Sequence, residues 1–150
     1  MEVPQIVKTY VQTWSTHDLA TCLDLFAPDG TYSDPTTPQP TVARNLKEHW
    51  AGFFAAFPDV KFETVALDAI SENLCIWRWI GRGTHTGSLG GAPPSGRKMA
   101  QPGCEFIEVR NGRIQTVIGY FDRLTMLTQL GPICPGRCNN LGFQSSSFLE

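Results

Sequence analysis

The spacing of apolar residues changes at Pro58 from a helical to a strand period, and this order decides the fold class. Before Pro58, the recurrence of apolar side chains every three or four residues predicts helices over 3–14, 19–26 and 42–57. Asp18 is placed to cap the second helix. After Pro58, alternation predicts strands over 60–69, 74–85, 97–109 and 113–121. Asn111 and Gly112 form a hairpin signal between the last two strands.

Shorter segments complete the predicted fold. Residues 31–35 are expected to be extended, 36–40 to form a proline-rich surface loop, and 123–130 to form a final helix. The glycine-rich stretch 87–96 joins two strands, so it lacks the helix N-terminus of a phosphate loop. Helices followed by strands predict an α+β cone, in which three N-terminal helices and a curved antiparallel sheet enclose a pocket. One domain is expected over 1–131, followed by an irregular tail over 132–150.

Composition narrows the classes of partner. A net charge of −2 gives no electrostatic reason to expect nucleic acid or an acidic membrane surface. No apolar run approaches the roughly 20 residues of a membrane span, and the first residues do not read as a signal peptide, so a cytoplasmic location is expected. The five cysteines are an odd number, which argues against a disulfide framework. Cys134 and Cys138 lack a second ligand pair, so no metal is predicted.

The alternation along the last strand makes Asp122 the main candidate for chemistry. It is in phase with Ile114, Ile118 and Tyr120. If that row faces the pocket, burial raises the pKa of the carboxyl group, which could then exchange a proton near neutral pH. The structural alternative is that Asp122 caps the final helix. Both roles could be combined, since one oxygen can cap while the other faces the cavity.

The other candidate pocket residues follow from the same periodicities. Trp77, Trp79 and His85 share one face of their strand, which indicates a lined pocket or a dry core, and Arg78 lies on the other face. Cys104 and Phe106 share a face of the next strand. The candidate substrate contacts are His49, Trp50, Phe53, Trp77, Trp79, His85, Cys104, Phe106, Tyr120 and Met126. Aromatic walls of this kind suit a flat, hydrophobic or aromatic small molecule.

Three segments, GTHTGSLGGAPPSGRKMAQPG, NGRIQ and YFDRLTMLTQLG, resemble the SnoaL-like polyketide cyclases (ester cyclases) of the NTF2-like superfamily. The resemblance covers about 1–131. It implies the cone fold with a deep pocket, a homodimer, and intramolecular aldol ring closure of a polyketide-like substrate without a metal or cofactor. It also implies that Asp122 is the acid/base residue.

A second resemblance gives the alternatives. IVKTYVQTWSTHDL and TYSDP are similar to ketosteroid isomerases, which implies a double-bond isomerase with Tyr10 as hydrogen-bond donor and Asp34 as base. The protonated acid of that family falls on Cys104, whose thiol is only a weak donor. A limonene epoxide hydrolase pattern would require Asp34, Arg78 and Asp122 to meet, which the strand phase opposes. A non-catalytic ligand-binding module is the remaining alternative, since fold alone does not fix function.

Overall fold

The computed structural model describes residues 1–131 of the 150-residue chain. Within this range the helices are α1 (Gln5–Thr16), α2 (Leu19–Asp24), α3 (Lys47–Ala56) and α4 (Arg123–Leu130), with a 3₁₀ turn at Ala43–Leu46. The strands are β1 (Phe26–Asp34), β2 (Thr37–Val42), β3 (Lys61–Ser71), β4 (Leu74–Thr84), β5 (Lys98–Arg110) and β6 (Arg113–Phe121). The predicted tail, with Cys134 and Cys138, lies outside the described residues.

The strands form one curved sheet in the order β2-β1-β6-β5-β4-β3, with helices on its concave side. This confirms the predicted α+β cone. The four strands predicted over 60–121 pair antiparallel, as expected, whereas β1, predicted only as a short extended segment, pairs parallel with β6. The connection between them runs through four other strands and α3, which is ample for a parallel crossover. None of the helices in residues 1–131 is long and apolar enough to span a membrane.

Residues 25–42 depart most from the prediction. The second helix ends at Asp24, and Phe26 already begins β1. The predicted loop over 36–40 is largely β2. Because β2 is an edge strand, it has a neighbour on one side only. Pro38 and Pro40, which lack an N–H group, are therefore tolerated without loss of hydrogen bonds to a second strand.

Two local signals are confirmed in detail. Asn111 and Gly112 both have positive φ, 51° and 71°, as a two-residue hairpin turn requires. The Asp18 side chain accepts a hydrogen bond of 3.0 Å from the backbone N–H of Thr21 and so caps α2. These features depend on short-range geometry, which explains why they could be read from adjacent residues.

A β-bulge at Gln115 reverses the faces of β6. Val109 pairs with Ile114 while Glu108 pairs with Thr116, so Gln115 is an extra residue on its strand. One extra residue shifts the alternation of side chains by one position. Ile114 and Val117 are therefore both buried. The predicted inward row is wrong beyond the bulge, since Ile118 and Tyr120 are exposed on the outer face.

The core lies between the helices and the concave face. Tyr10 of α1, Trp77 of β4 and Ile107 of β5 are almost completely buried there. Burying a large apolar side chain contributes about 1.5–3 kcal/mol. The same layer leaves a cavity between α3, α4 and the sheet.

Candidate active site

The cavity has a volume of about 400 Å³, within the range of small-molecule sites. Much of its wall is aromatic and comes from α1, α3 and strands β3 and β4: Trp14, Trp50, Phe53, Phe62, Trp77 and Trp79. Its polar wall residues include Asp34, His49, Gln101, Glu105 and Arg123. A flat ligand could therefore be enclosed by rings and oriented by a few polar groups.

Glu105 is the buried carboxyl group of this wall. It lies on β5 with only 3% of its surface exposed, on the same face as Ile107 and Val109. Burial raises its pKa to about 8, and the nearby Asp34 charge adds to the rise against two opposing tyrosine hydrogen bonds. Glu105 is thus mostly protonated at pH 7 and able to act as an acid.

Two tyrosines hold Glu105. The hydroxyl of Tyr10 donates to Glu105 Oε2 over 3.0 Å. The hydroxyl of Tyr32 lies 3.3 Å from Glu105 Oε1 and 3.0 Å from Asp34 Oδ2. Tyr32 has a single proton and can donate to only one carboxyl group at a time. With the proton on Glu105, the three groups form an ordered chain, in which Glu105 donates to Tyr32 and Tyr32 donates to Asp34.

Asp34 ends β1 at the cavity wall, where a turn fixes its carboxylate. Oδ1 accepts from Thr36 N–H, the Thr36 hydroxyl and Thr37 N–H, all within 2.7–2.8 Å. Oδ2 accepts only from Tyr32 among the described residues, which leaves it capacity for a proton from a ligand. His49 Nε2 lies 3.0 Å from the Thr36 hydroxyl oxygen. Because that hydroxyl donates to Asp34, Nε2 of His49 is assigned as the donor.

Asp122 is exposed and caps α4. Its Oδ1 accepts from the N–H groups of Leu124 and Thr125 at 3.0 and 3.2 Å, and its Oδ2 accepts from the Thr125 hydroxyl. The Thr125 hydroxyl and backbone hydrogen bonds lower the pKa of Asp122. The predicted burial and raised pKa are therefore wrong, and the capping interpretation is confirmed. The bulge at Gln115 is the reason, because it turns the row of Ile118 and Tyr120 away from the cavity.

Several other candidates lie away from the cavity wall. Cys104, Phe106 and Tyr120 are on the outer face of the sheet, and the rings of the last two meet edge to face at 6.0 Å. Their predicted pocket position is wrong, since β5 alternation turns Glu105 inward instead. The Tyr10 ring is fully buried, and its hydroxyl is engaged by Glu105. The resemblance to ketosteroid isomerases places the protonated acid of that family at Cys104. The buried acid of this structure is the next residue, Glu105.

His85 is buried and anchors the loop between β4 and β5. Its Nδ1 accepts from the backbone N–H of Ser95 at 3.1 Å, and its ring packs against Phe57. Burial lowers the pKa of His85. The predicted substrate contact is therefore replaced by a role in holding the stretch before β5.

The cavity wall does contain Asp34, His49, Trp50, Phe53, Trp77, Trp79 and Met126. Their contact with substrate stays a prediction. The hydrolase cluster does not form, because Arg78 is exposed on the outer face and Asp122 faces solvent. Within residues 1–131, His, Cys, Asp and Glu side chains do not gather in a group that could hold a metal ion.

Sequence reasoning missed Glu105, Tyr32 and Gln101. The signal was present in the alternation of β5: if Cys104 and Phe106 share one face, Glu105 shares the other with Ile107 and Val109. A carboxyl group inside an apolar row is a candidate for a shifted pKa. The pairing of β5 with β4 then decides that this row faces inward, next to Trp77.

The fold recurs in solved structures. IdmH of Streptomyces antibioticus, described as a candidate polyketide cyclase, is 28% identical with a TM-score of 0.73, covering 85% of this chain and 97% of that one. AclR of Streptomyces galilaeus, a candidate hydroxylase, is 20% identical with a TM-score of 0.74, covering 84% and 92%. A Catenulispora acidiphila protein with a ketosteroid isomerase-like fold is 20% identical with a TM-score of 0.72, covering 87% and 96%. The last two likenesses show the fold alone.

The sequence itself matches a family profile. No curated protein matches the chain significantly. The profile described as SnoaL-like polyketide cyclase matches residues 4–130, which include every strand of the sheet and all four described helices. This match supports an enzyme of the cyclase type that acts on a small molecule. The chain belongs to the SnoaL-like polyketide cyclase family.

Proposed function

We propose that this protein closes a ring in a polyketide-like substrate by intramolecular aldol addition, with Asp34 and Glu105 moving the proton. The observation that carries the proposal is the pair of carboxyl groups on one aromatic cavity wall, bridged by the Tyr32 hydroxyl. Two such groups with different environments can divide the roles of base and acid. The proposal moves the acid/base role from Asp122 to the groups that line the cavity.

The steps balance without an outside proton source. Asp34 Oδ2 removes a proton from the carbon between two carbonyl groups, and the resulting enolate attacks another carbonyl carbon of the same molecule. Glu105 donates its proton to the new alkoxide. The proton on Asp34 then returns to Glu105 through the Tyr32 hydroxyl, which lies within 3.3 Å of both carboxyl groups. This transfer restores both residues for the next turnover.

The cavity supplies the remaining requirement, which is the folded conformation of the substrate. Ring closure needs two distant carbons of one chain to be held together, and such positioning can contribute much of the rate. A β-dicarbonyl compound delocalises the charge of its own enolate. A strong oxyanion hole is therefore not needed beside Asp34.

The experiment compares carboxyl-to-amide changes at three positions, using ring closure of an aryl β-keto ester that carries a tethered ketone. Glu105→Gln and Asp34→Asn should each lower kcat by roughly 100-fold, since each removes one proton-transfer group. Asp122→Asn is the matched control and should leave kcat within about twofold, because Asn also caps a helix well. Full activity in both cavity variants, or a loss confined to Asp122→Asn, would show that the proposal is wrong.

Two alternatives have an observation in their favour. The pair of Asp34 with a buried neutral acid also suits a double-bond isomerase, which would shift a β,γ-enone to the α,β-enone and leave the aryl keto ester unreacted. The exposed, capping Asp122 is what a ligand-binding module would show. Such a module would bind aromatic ketones but would convert neither the aryl keto ester nor the β,γ-enone.

We also propose that the protein is a homodimer that buries the outer face of its sheet. Phe106, Ile118 and Tyr120 form an apolar patch on the central strands β5 and β6. Tyr120 is 57% exposed although its ring is large and apolar. A second copy presenting the same patch would cover it by two-fold symmetry.

A further inference from the structure

Three residues of the cavity wall carry a buried polar atom with no hydrogen-bond partner among residues 1–131. These atoms are Oε1 of Gln101 and the indole Nε1 of Trp14 and of Trp79. Gln101 and Trp79 lie on adjacent strands and are 3% and 7% exposed. Buried polar groups are nearly always satisfied, because an unmade hydrogen bond costs about 1–3 kcal/mol. Two such atoms on a cavity wall therefore point to a ligand.

The orientation of Gln101 is fixed by its neighbour. Its amide nitrogen Nε2 donates to the carbonyl oxygen of Pro102 over 2.9 Å. A carbonyl oxygen can only accept, so the amide nitrogen must be on that side and Oε1 must be on the other. Gln101, a residue of the cavity wall, therefore carries an unpaired acceptor, while the unpaired group of Trp79 is a donor.

The two groups are neighbours on the concave face. Trp79 pairs with Gly103 across β4 and β5, and Gln101 is two residues from Gly103 on the same face. Diagonal neighbours of this kind are about 7–8 Å apart. Gly103 also gives the indole its place, because a Cβ there would lie 2.5 Å from the Trp79 ring. The two residues that carry the unpaired donor and acceptor thus lie next to each other on the cavity wall.

We infer that Gln101 and Trp79 form a subsite that recognises a hydroxyl group and a carbonyl group carried close together on the ligand. The hydroxyl donates to Gln101 Oε1, and the carbonyl oxygen accepts from Trp79 Nε1. This inference rests on the proposed function, because it takes the cavity as the substrate site. It adds that the ligand carries a hydroxyl and a carbonyl group away from the carbons that react beside Asp34.

The subsite lies apart from the proton-transfer pair. Gln101 and Glu105 are four residues apart on β5, which corresponds to about 13 Å along an extended strand. A ligand that reaches both must be elongated and must carry oxygen at both ends. The subsite would therefore fix which carbonyl of a poly-oxygenated chain is presented to Asp34.

The test removes a ligand group and a side chain, first separately and then together, and compares the resulting affinities. Affinities are measured by calorimetry. The probe is a bicyclic aryl ketone with a β-hydroxyl group and two methyl groups on the carbon between them, which prevents dehydration and enolisation. Its partners are the ketone without the hydroxyl, the alcohol without the carbonyl, and the parent hydrocarbon. The wild-type protein should lose roughly tenfold in affinity for each group removed.

The variants show which side chain reads which group. In Gln101→Met, removing the hydroxyl group from the ligand should not lower the affinity further, while removing the carbonyl group should still lower the affinity about tenfold. Trp79→Phe should show the reverse. Trp77→Phe is the matched control, because the Trp77 indole already donates to Thr64 Oγ1 at 3.0 Å, so both ligand groups should keep their full effect.

The inference is overturned if the hydroxy ketone binds the wild-type protein no more tightly than the hydrocarbon. It is also overturned if removing a ligand group lowers the affinity equally in the wild type and in the variant that lacks its side-chain partner, so that the two losses add. Melting temperatures check that each variant is folded. The readout separates this inference from the proposed function. Full turnover in both Glu105→Gln and Asp34→Asn would end the aldol proposal even if the binding cycle held. An additive cycle would end the subsite even if both variants were inactive.

Discussion

The hydroxyl of Tyr10 donates a 3.0 Å hydrogen bond to Glu105, and so ties the first helix to the fifth strand across 95 positions of the chain. The bond is buried, where a carboxyl group without a hydrogen-bond partner would be costly. It holds one oxygen of Glu105 and leaves the other to Tyr32. Tyr10 is buried and is not among the residues that line the cavity, and we propose that it positions Glu105.

Tyr10→Phe should raise the pKa of Glu105 further. The Tyr10 hydrogen bond lowers that pKa by favouring the carboxylate, so its loss leaves burial less opposed. In the pH profile of the rate, the decline caused by loss of the Glu105 proton should move to a higher pH by roughly one unit. Rates measured from pH 5 to 10 test this, with KM expected to change little. An unshifted profile with a lower Tm would reduce Tyr10 to a packing role.

The stability of the protein should depend on pH through Glu105. Its pKa is 4.5 in the reference state and about 8 when folded, so the folded state binds the extra proton between these values. The stability from this group is present below pH 4.5 and is lost as pH rises toward 8, with a slope of at most about 1.4 kcal/mol per pH unit. Urea unfolding at several pH values should show this decline in the wild type and its absence in Glu105→Gln. The exposed Glu72→Gln is the control and should keep the wild-type slope.

Asp122→Ala should affect stability and leave catalysis intact. The change removes the side chain that accepts hydrogen bonds from Leu124 and Thr125 at the start of α4. The melting temperature should fall by a few degrees, whereas Asp122→Asn should stay near the wild type. Thermal unfolding and kcat are measured together. A loss of kcat in Asp122→Ala without a change in melting temperature would restore the residue to the reaction.

Gly103→Ala should damage the cavity. A Cβ at this position would lie 2.5 Å from the Trp79 ring, so the indole must shift, at about 1–3 kcal/mol and with weaker aromatic ligand binding. Gly52→Ala in α3 is the control for stability alone, because Gly52 also lines the cavity. It has no heavy atom within 4 Å of the added Cβ, so the helix should gain up to about 1 kcal/mol. Unchanged stability and unchanged ligand affinity in Gly103→Ala would contradict the role of Gly103.

Tyr120→Lys should convert the proposed homodimer into a monomer. The change places a charge in the centre of the outer apolar patch beside Phe106, where two copies would bring like charges together. Sedimentation at micromolar concentration should give half the wild-type mass. Leu124→Lys is the control, an exposed apolar residue on α4 outside the patch. A wild-type protein that sediments as a monomer would rule out the interface.

The sequence by itself determined the features that depend on neighbouring residues. Apolar periodicity predicted α1, α3 and strands β3 to β6 to within a few residues, because each buried face repeats with the geometry of its own element. The Asn111–Gly112 turn and the Asp18 cap followed from side chains acting on the adjacent backbone. The motifs around 83–131 also indicated the family that the profile confirms.

Only the tertiary structure decided which carboxyl group is buried. A single extra residue at Gln115 reverses the faces of β6 and places Asp122 in solvent, and no local pattern marks where strand pairing inserts that bulge. The pairing of β5 with β4, together with Tyr10 and Tyr32 from distant elements, then encloses Glu105. A pKa depends on the solvent and charges around a group, and here these come from positions as much as 95 residues away.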